Sequence, residues 1–163
     1  TTKLMTHKKD VDTINTNQLS HLQSDCKTFT ATDDAPPDLA KILQSNCPAP
    51  PQLTLKQGAQ VILCKTTSAS EGLVNGARGV VVGFTSGQGM PIVQFDSGVK
   101  VTVTREKWTV TLGEGRVASR TQLPLNLAWA ISIHKSQGMT LSRVQVSLAR
   151  VFECGQAYVA LSR

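Results

Sequence analysis

The stretch AISIHKSQGMTL, residues 130–141, starts apolar and β-branched, then presents His134, Lys135, Ser136 and Gln137 before Gly138. Four consecutive side chains that seek hydrogen-bond partners at the end of an apolar element point to a packed segment whose tip faces a ligand. Asn126 can cap a helix whose last turn holds His134 and Lys135, with Gly138 just past its end, where a left-handed residue is favoured. The alternation Ala130, Ile131, Ser132, Ile133 also fits a strand; the cap, the length and the terminal glycine favour helix. Downstream, RVQVSLARVF at 143–152 reads as a strand, and 155–163 as a final helix with Tyr158 and Leu161 on one side.

Between about 57 and 122 the texture differs. AQVILCK, GVVVGF, MPIVQF, VKVTVT and KWTVTL are strand candidates, separated by turn chemistry at Asn75-Gly76, at 86–89 and at Asp96-Ser97-Gly98. Five short strands in so little chain predict a small closed barrel, which removes exposed sheet edges. Ahead of it, TKLMT at 2–6 fits a short strand. Residues 8–22 follow as a helix with Val11, Ile14, Leu19 and Leu22 on one face and Asn15 among the residues of the others. ATDDAPP at 31–37 reads as a loop, Asp38 as the cap of a short helix with Leu39, Ile42 and Leu43, and the prolines of NCPAPPQ as its end. The β-rich block therefore looks inserted into an α/β layer.

The chain has 163 residues, and Lys plus Arg exceeds Asp plus Glu by 17 to 11, a net charge of +6 that favours a polyanionic partner. No run approaches the roughly 20 apolar residues of a membrane span, so the expectation is a soluble protein with no membrane partner. The four cysteines form no C-x-x-C pair and lack a nearby histidine pair, which predicts buried reduced thiols and no metal site. Thr1 opens the chain without a Met or a targeting pattern, as expected of a segment excised from a longer protein. A self-sufficient nucleotide hydrolase would show G-x-x-x-x-G-K-[ST] and an acidic pair for Mg²⁺; the sequence contains no Gly-Lys and no Asp-Glu dipeptide, so this chain alone is not expected to hydrolyse ATP.

What it contains is a set of groups suited to negative charge. Thr6-His7-Lys8-Lys9 is either a charged helix start or a phosphate contact built from hydroxyl, imidazole and amide donors. Arg163, at the end of GQAYVALSR, either complements a helix dipole or supplies a guanidinium to a phosphoryl group held by a neighbouring domain.

Read together, TQLPLNLAWAISIHKSQGMTL at 121–141 and RVFECGQAYVALSR at 150–163 closely resemble the fifth and sixth motifs of superfamily 1 helicases, specifically the petite-integration-frequency (PIF) family of DNA helicases. LMTHKKDVDTIN at 4–15 and LKQGAQVILCKTTSASEGLVNGARGVVVGF at 55–84 are similar to that family too. The resemblance implies an α/β fold: a second RecA-like, P-loop NTPase-type motor domain at 1–57 and 122–163, a parallel sheet with helices. A small SH3-like β-barrel at 58–121 interrupts it. It implies an ATP-dependent helicase that moves 5′ to 3′ on single-stranded DNA and also meets forked or structured DNA. ATP with Mg²⁺ would be held largely by an N-terminal RecA-like domain of the same protein.

By the same resemblance Arg163 is the arginine that reaches the γ-phosphate. Gly138, Thr140 and Lys135 lie on the nucleotide side, and His134, Lys135, Ser136, Thr6 and His7 contact DNA. Lys65, Asn75 and Arg78 near the barrel loops would clamp strands or merely brace a scaffold. The family implies work in replication, recombination, repair and telomere maintenance, in nucleus or mitochondrion, with this segment inactive alone. Two competing readings are a non-catalytic single-stranded nucleic-acid-binding module, which the 4% aromatic content disfavours because base stacking needs aromatic rings, and a protein-interaction barrel.

Overall fold

The structure is a computed structural model and describes residues 2–136, 138–139, 141, 144–146, 159 and 161–162. In chain order the elements are β1 (Thr2–Met5), α1 (Lys8–Ser20), β2 (Cys26–Thr30), β3 (Thr32–Asp34), α2 (Ala40–Asn46), β4 (Gln52–Lys56), β5 (Gln60–Leu63), β6 (Arg78–Phe84), β7 (Pro91–Phe95), β8 (Lys100–Thr102), β9 (Glu106–Leu112), β10 (Arg116–Gln122), β11 (Leu125–Leu127), β12 (Ala130–Ser132) and β13 (Val144–Val146). No helix among the described residues is long and apolar enough to cross a membrane.

Four sheets organise these strands. β1 sits between β12 and β13 in a parallel sheet, with Met5 opposite Ser132 and Leu4 opposite Val146. β11, β5, β6, β7 and β8 form an antiparallel sheet in that order; β3, β10 and β9 form a second, and β2 pairs with β4. The β7–β8 hairpin turns at Asp96-Ser97-Gly98, where the Gly98 N–H donates to the Phe95 carbonyl at 2.9 Å and Gly98 has φ +97°.

β5 shows why an unbroken apolar run is a strand here. Val61 and Leu63 face one core, with Leu55, Val81, Val93 and Leu125, while Ile62 and Cys64 face another, with Leu4, Ile131 and Ile133. Both faces are covered, so alternation disappears. Cys47 and Cys64 are buried and Cys26 is exposed, against the expectation that all the thiols are buried; all three are free. Burial pushes the Cys64 thiol up to about 12.

Further expectations need correction. The helix expected from Asn126 is instead β11, β12 and a single 3-10 turn at His134–Ser136. Asn126 caps nothing: its Nδ2 donates to the Pro48 carbonyl at 3.1 Å, and strand pairing to β5 and β1 outweighs local helix preference. The antiparallel sheet takes β11 as a member, whereas β9, expected in the barrel, pairs with β10. Residues 32–34, expected as loop, form β3 on the edge of β10.

Asp38 does not cap α2, whose N-cap is Leu39 without a side-chain bond; its carboxylate pairs with Arg116 instead. That hydrogen bond holds the Asp38 carboxyl below its ordinary value. A depressed folded pKa means the contribution is present above the unfolded value of about 3.9 and disappears as pH falls through the folded one. Asp38→Asn should therefore unfold at slightly lower urea than the unsubstituted protein at neutral pH, and the two urea midpoints should converge below pH 4. A constant gap down to that pH would assign the difference to something other than this pair.

Candidate nucleic-acid interface

β1 and β12 are adjacent and parallel, so their carboxyl ends lie at the same edge of the sheet. Crevices outside the carboxyl ends of such strands are where α/β sheets bind ligands. The Ile133 N–H donates to the Met5 carbonyl at 2.8 Å, carrying the pairing one step past β12. Beyond it the two chains diverge: Thr6 and His7 lead into α1, and His134–Ser136 turn away from β12. Two sites more than a hundred residues apart in sequence thus share one rim.

His7 is the N-cap of α1, extended at φ −109°, and Thr6 and His7 are both half-buried. The Lys135 N–H donates to the Ser132 hydroxyl at 3.2 Å, which starts the turn. Ser136 is fully buried and its hydroxyl donates to the Ile133 carbonyl at 2.6 Å, so in this conformation it holds the turn together. Gly138 has φ +77°, and a Cβ there would meet nothing within 4 Å; backbone conformation, not space, requires the glycine. Thr140 and Arg163, and nearly all of the helix expected at 155–163, lie outside the described residues.

Beside this rim, a cavity of about 460 Å³ opens between α1 and the strands β4 and β11, with residues of β12 in its lining. Lys8, Asp12 and Lys135 bring charge to it, above apolar groups that include Val11, Leu53 and Ile131. Lys135 is exposed as a residue but lines the cavity, and desolvation there, followed by repulsion from Lys8, lowers its ammonium from the ordinary lysine value. Asp12 offsets part of that repulsion, and the two cations together outweigh its single carboxylate, which leaves a net positive charge suited to an anion.

Asn15 was not legible as part of this region. It is 8% exposed and bonded to the backbone of β12 through both ends of its carboxamide. The signal was present: Val11, Asn15 and Leu19 form an i, i+4, i+8 row, which puts the asparagine on the apolar face.

The cations expected at the barrel loops are engaged within the fold. Lys65 Nζ lies 5.4 Å from the Trp108 ring centroid and 3.7 Å from Glu106, and donates to the Lys107 carbonyl at 3.0 Å. Arg78 lies 3.5 Å from Asp96 and donates to the Thr2 hydroxyl, also at 3.5 Å. The Asn75 N–H donates to the Thr66 hydroxyl at 3.0 Å. Lys65 and Arg78 tie the five-stranded sheet to β9 and β1, which fits a brace.

Comparison with known proteins decides the family. The chain is 53% identical over 99% of its length to rat ATP-dependent DNA helicase PIF1 and 54% identical to the human protein. The Pif1 helicase crystal structure from Candida albicans superposes on 99% of the chain with a TM-score of 0.78 at 36% identity. The chain belongs to the Pif1 helicase family. Within it, residues 38–84 match the profile described as DNA helicase Pif1, 2B domain. Bacteroides Pif1 bound to ssDNA is similar at 32% identity and a TM-score of 0.69, over 99% of this chain and 38% of that one. The chain spans 25% of the rat and human Pif1 relatives and 42% of the Candida structure.

Proposed function

We propose that this chain is the C-terminal motor segment of an ATP-dependent Pif1-family DNA helicase that translocates 5′ to 3′ on single-stranded DNA. The observation that carries this reading is the shared rim where Thr6-His7-Lys8 and His134-Lys135-Ser136 meet at the carboxyl ends of β1 and β12. The parallel sheet with α1 belongs to a second RecA-like domain, 1–57 and 122–163, and the antiparallel sheet to an SH3-like barrel inserted at 58–121 and joined at its boundary by β11. ATP and Mg²⁺ are held mainly by the N-terminal RecA-like domain of the same protein. Gly138, Thr140 and Lys135 face the nucleotide side and Arg163 reaches the γ-phosphate. Forked dsDNA, named for one solved Pif1 structure, is a fitting substrate, in nuclear or mitochondrial replication, recombination, repair or telomere maintenance. Alternating closure of the two domains on ATP, with the rim as one of two grips on the strand, would convert hydrolysis into stepping.

Salt dependence tests the grip. Binding of the full-length protein to an oligothymidylate should weaken with salt, and Lys135→Ala and Lys8→Ala should each reduce the slope of log affinity against log salt by about 0.7 for each phosphate that the missing ammonium had neutralised. Unchanged slopes in both variants would remove this rim from the DNA path.

A further inference from the structure

We infer that Asn15 is a positioning residue whose carboxamide sets the gap between the two loops of the rim. The inference rests on the proposed DNA grip. Among the described residues β12 is an outer strand of the parallel sheet, and the Trp129 carbonyl and Ile133 N–H that flank it are used on the β1 side. Ala130 therefore points its backbone groups to the free edge. There Asn15 Nδ2 donates to the Ala130 carbonyl at 3.0 Å and the Ala130 N–H donates to Asn15 Oδ1 at 2.9 Å. One side chain takes the place of a neighbouring strand.

This tie adds direction to the apolar contacts that Val11 and the partly buried Leu19 make for α1. Val11 is the buried apolar residue of the helix, and the 460 Å³ cavity opens between α1 and the strands β4 and β11. Apolar packing alone would leave α1 free to slide or tilt, whereas a two-point hydrogen bond is directional. α1 begins immediately after Thr6 and His7, and Ala130 lies four residues before His134. Fixing Asn15 to Ala130 thus fixes one loop against the other. The titratable groups facing the cavity are Lys8 and Asp12 of α1 and Lys135 after β12; the lining residues from β4 and β11 add none.

Asn15→Asp and Asn15→Leu in the full-length protein separate positioning from mere stability. An aspartate carboxylate accepts from the Ala130 N–H but repels its carbonyl; once protonated, it regains a donor and restores both bonds. At pH 8, Asn15→Asp should raise the DNA concentration for half-maximal ATP hydrolysis, and the Kd for oligothymidylate, about tenfold, with kcat at saturating DNA retained. The ratio of variant to unsubstituted Kd should return toward one as pH falls toward 5, because burial raises the carboxyl pKa. Asn15→Leu should be weakened by a similar factor at every pH.

Variants that melt earlier but bind DNA as the unsubstituted protein does at all pH values would overturn the positioning role. So would an Asn15→Asp defect that does not recover at low pH. An unsubstituted protein that neither binds oligothymidylate nor responds to it would instead overturn the DNA grip, and this inference with it.

Discussion

Arg163→Ala in the full-length protein is expected to lower DNA-stimulated ATP hydrolysis by about 10³- to 10⁵-fold while leaving single-stranded DNA affinity largely intact. Phosphoryl transfer spreads negative charge over the transferring group, and a guanidinium brought across an interdomain cleft meets that charge in the transition state more fully than in the bound nucleotide. The loss should therefore fall on kcat. Arg163→Lys should restore little, because an ammonium lacks the planar fork that engages two phosphate oxygens. Steady-state hydrolysis at saturating DNA, set beside DNA binding of the same variants, checks this; normal turnover in Arg163→Ala would take the finger role away from Arg163.

Arg120→Ala is expected to destabilise the fold by about 3 kcal/mol. The residue is 2% exposed. Its Nε and Nη2 donate to the two Asp33 carboxylate oxygens at 2.8 and 2.9 Å, Nη2 also donates to Gln44 Oε1, and Nη1 to the Ala49 carbonyl at 3.0 Å. One guanidinium thereby joins β10, β3, α2 and the segment after α2. Truncation strands several acceptors at once, although the Asp33 side chain, 40% exposed, can recover some water, which keeps the cost at the lower end for a buried pair. Urea unfolding of both proteins measures it. A change below about 1 kcal/mol would place Arg120 among ordinary surface pairs.

Arg120 also shows where sequence reading stops. β10, RVASRTQ, is not among the strand candidates because it is polar, yet Arg120 and Gln122 are both buried. Gln122 Nε2 donates to the Phe29 carbonyl at 2.8 Å and to that of Pro50 at 3.1 Å, partners far away in the chain. Burial satisfied by distant backbone leaves no local pattern. β1, α1 and the hairpin strands β5 to β8 were legible because alternation, helical spacing and glycine turns are local. Membership of the sheets was not, since β11 and β9 are assigned by pairing with residues that local pattern does not identify.

The rim was legible only in pieces. Motif resemblance pointed to Thr6, His7 and His134–Ser136 separately, while their meeting depends on the parallel register of β1 against β12. The polarity of residues 134–137, set after an apolar strand, is local and legible, but that Ser136 is buried with its hydroxyl on the Ile133 carbonyl is not.

The most direct measurement is the rate of ATP hydrolysis by the full-length protein with and without single-stranded DNA. The account predicts a strong stimulation that saturates with DNA concentration. Equal rates in both conditions would contradict it.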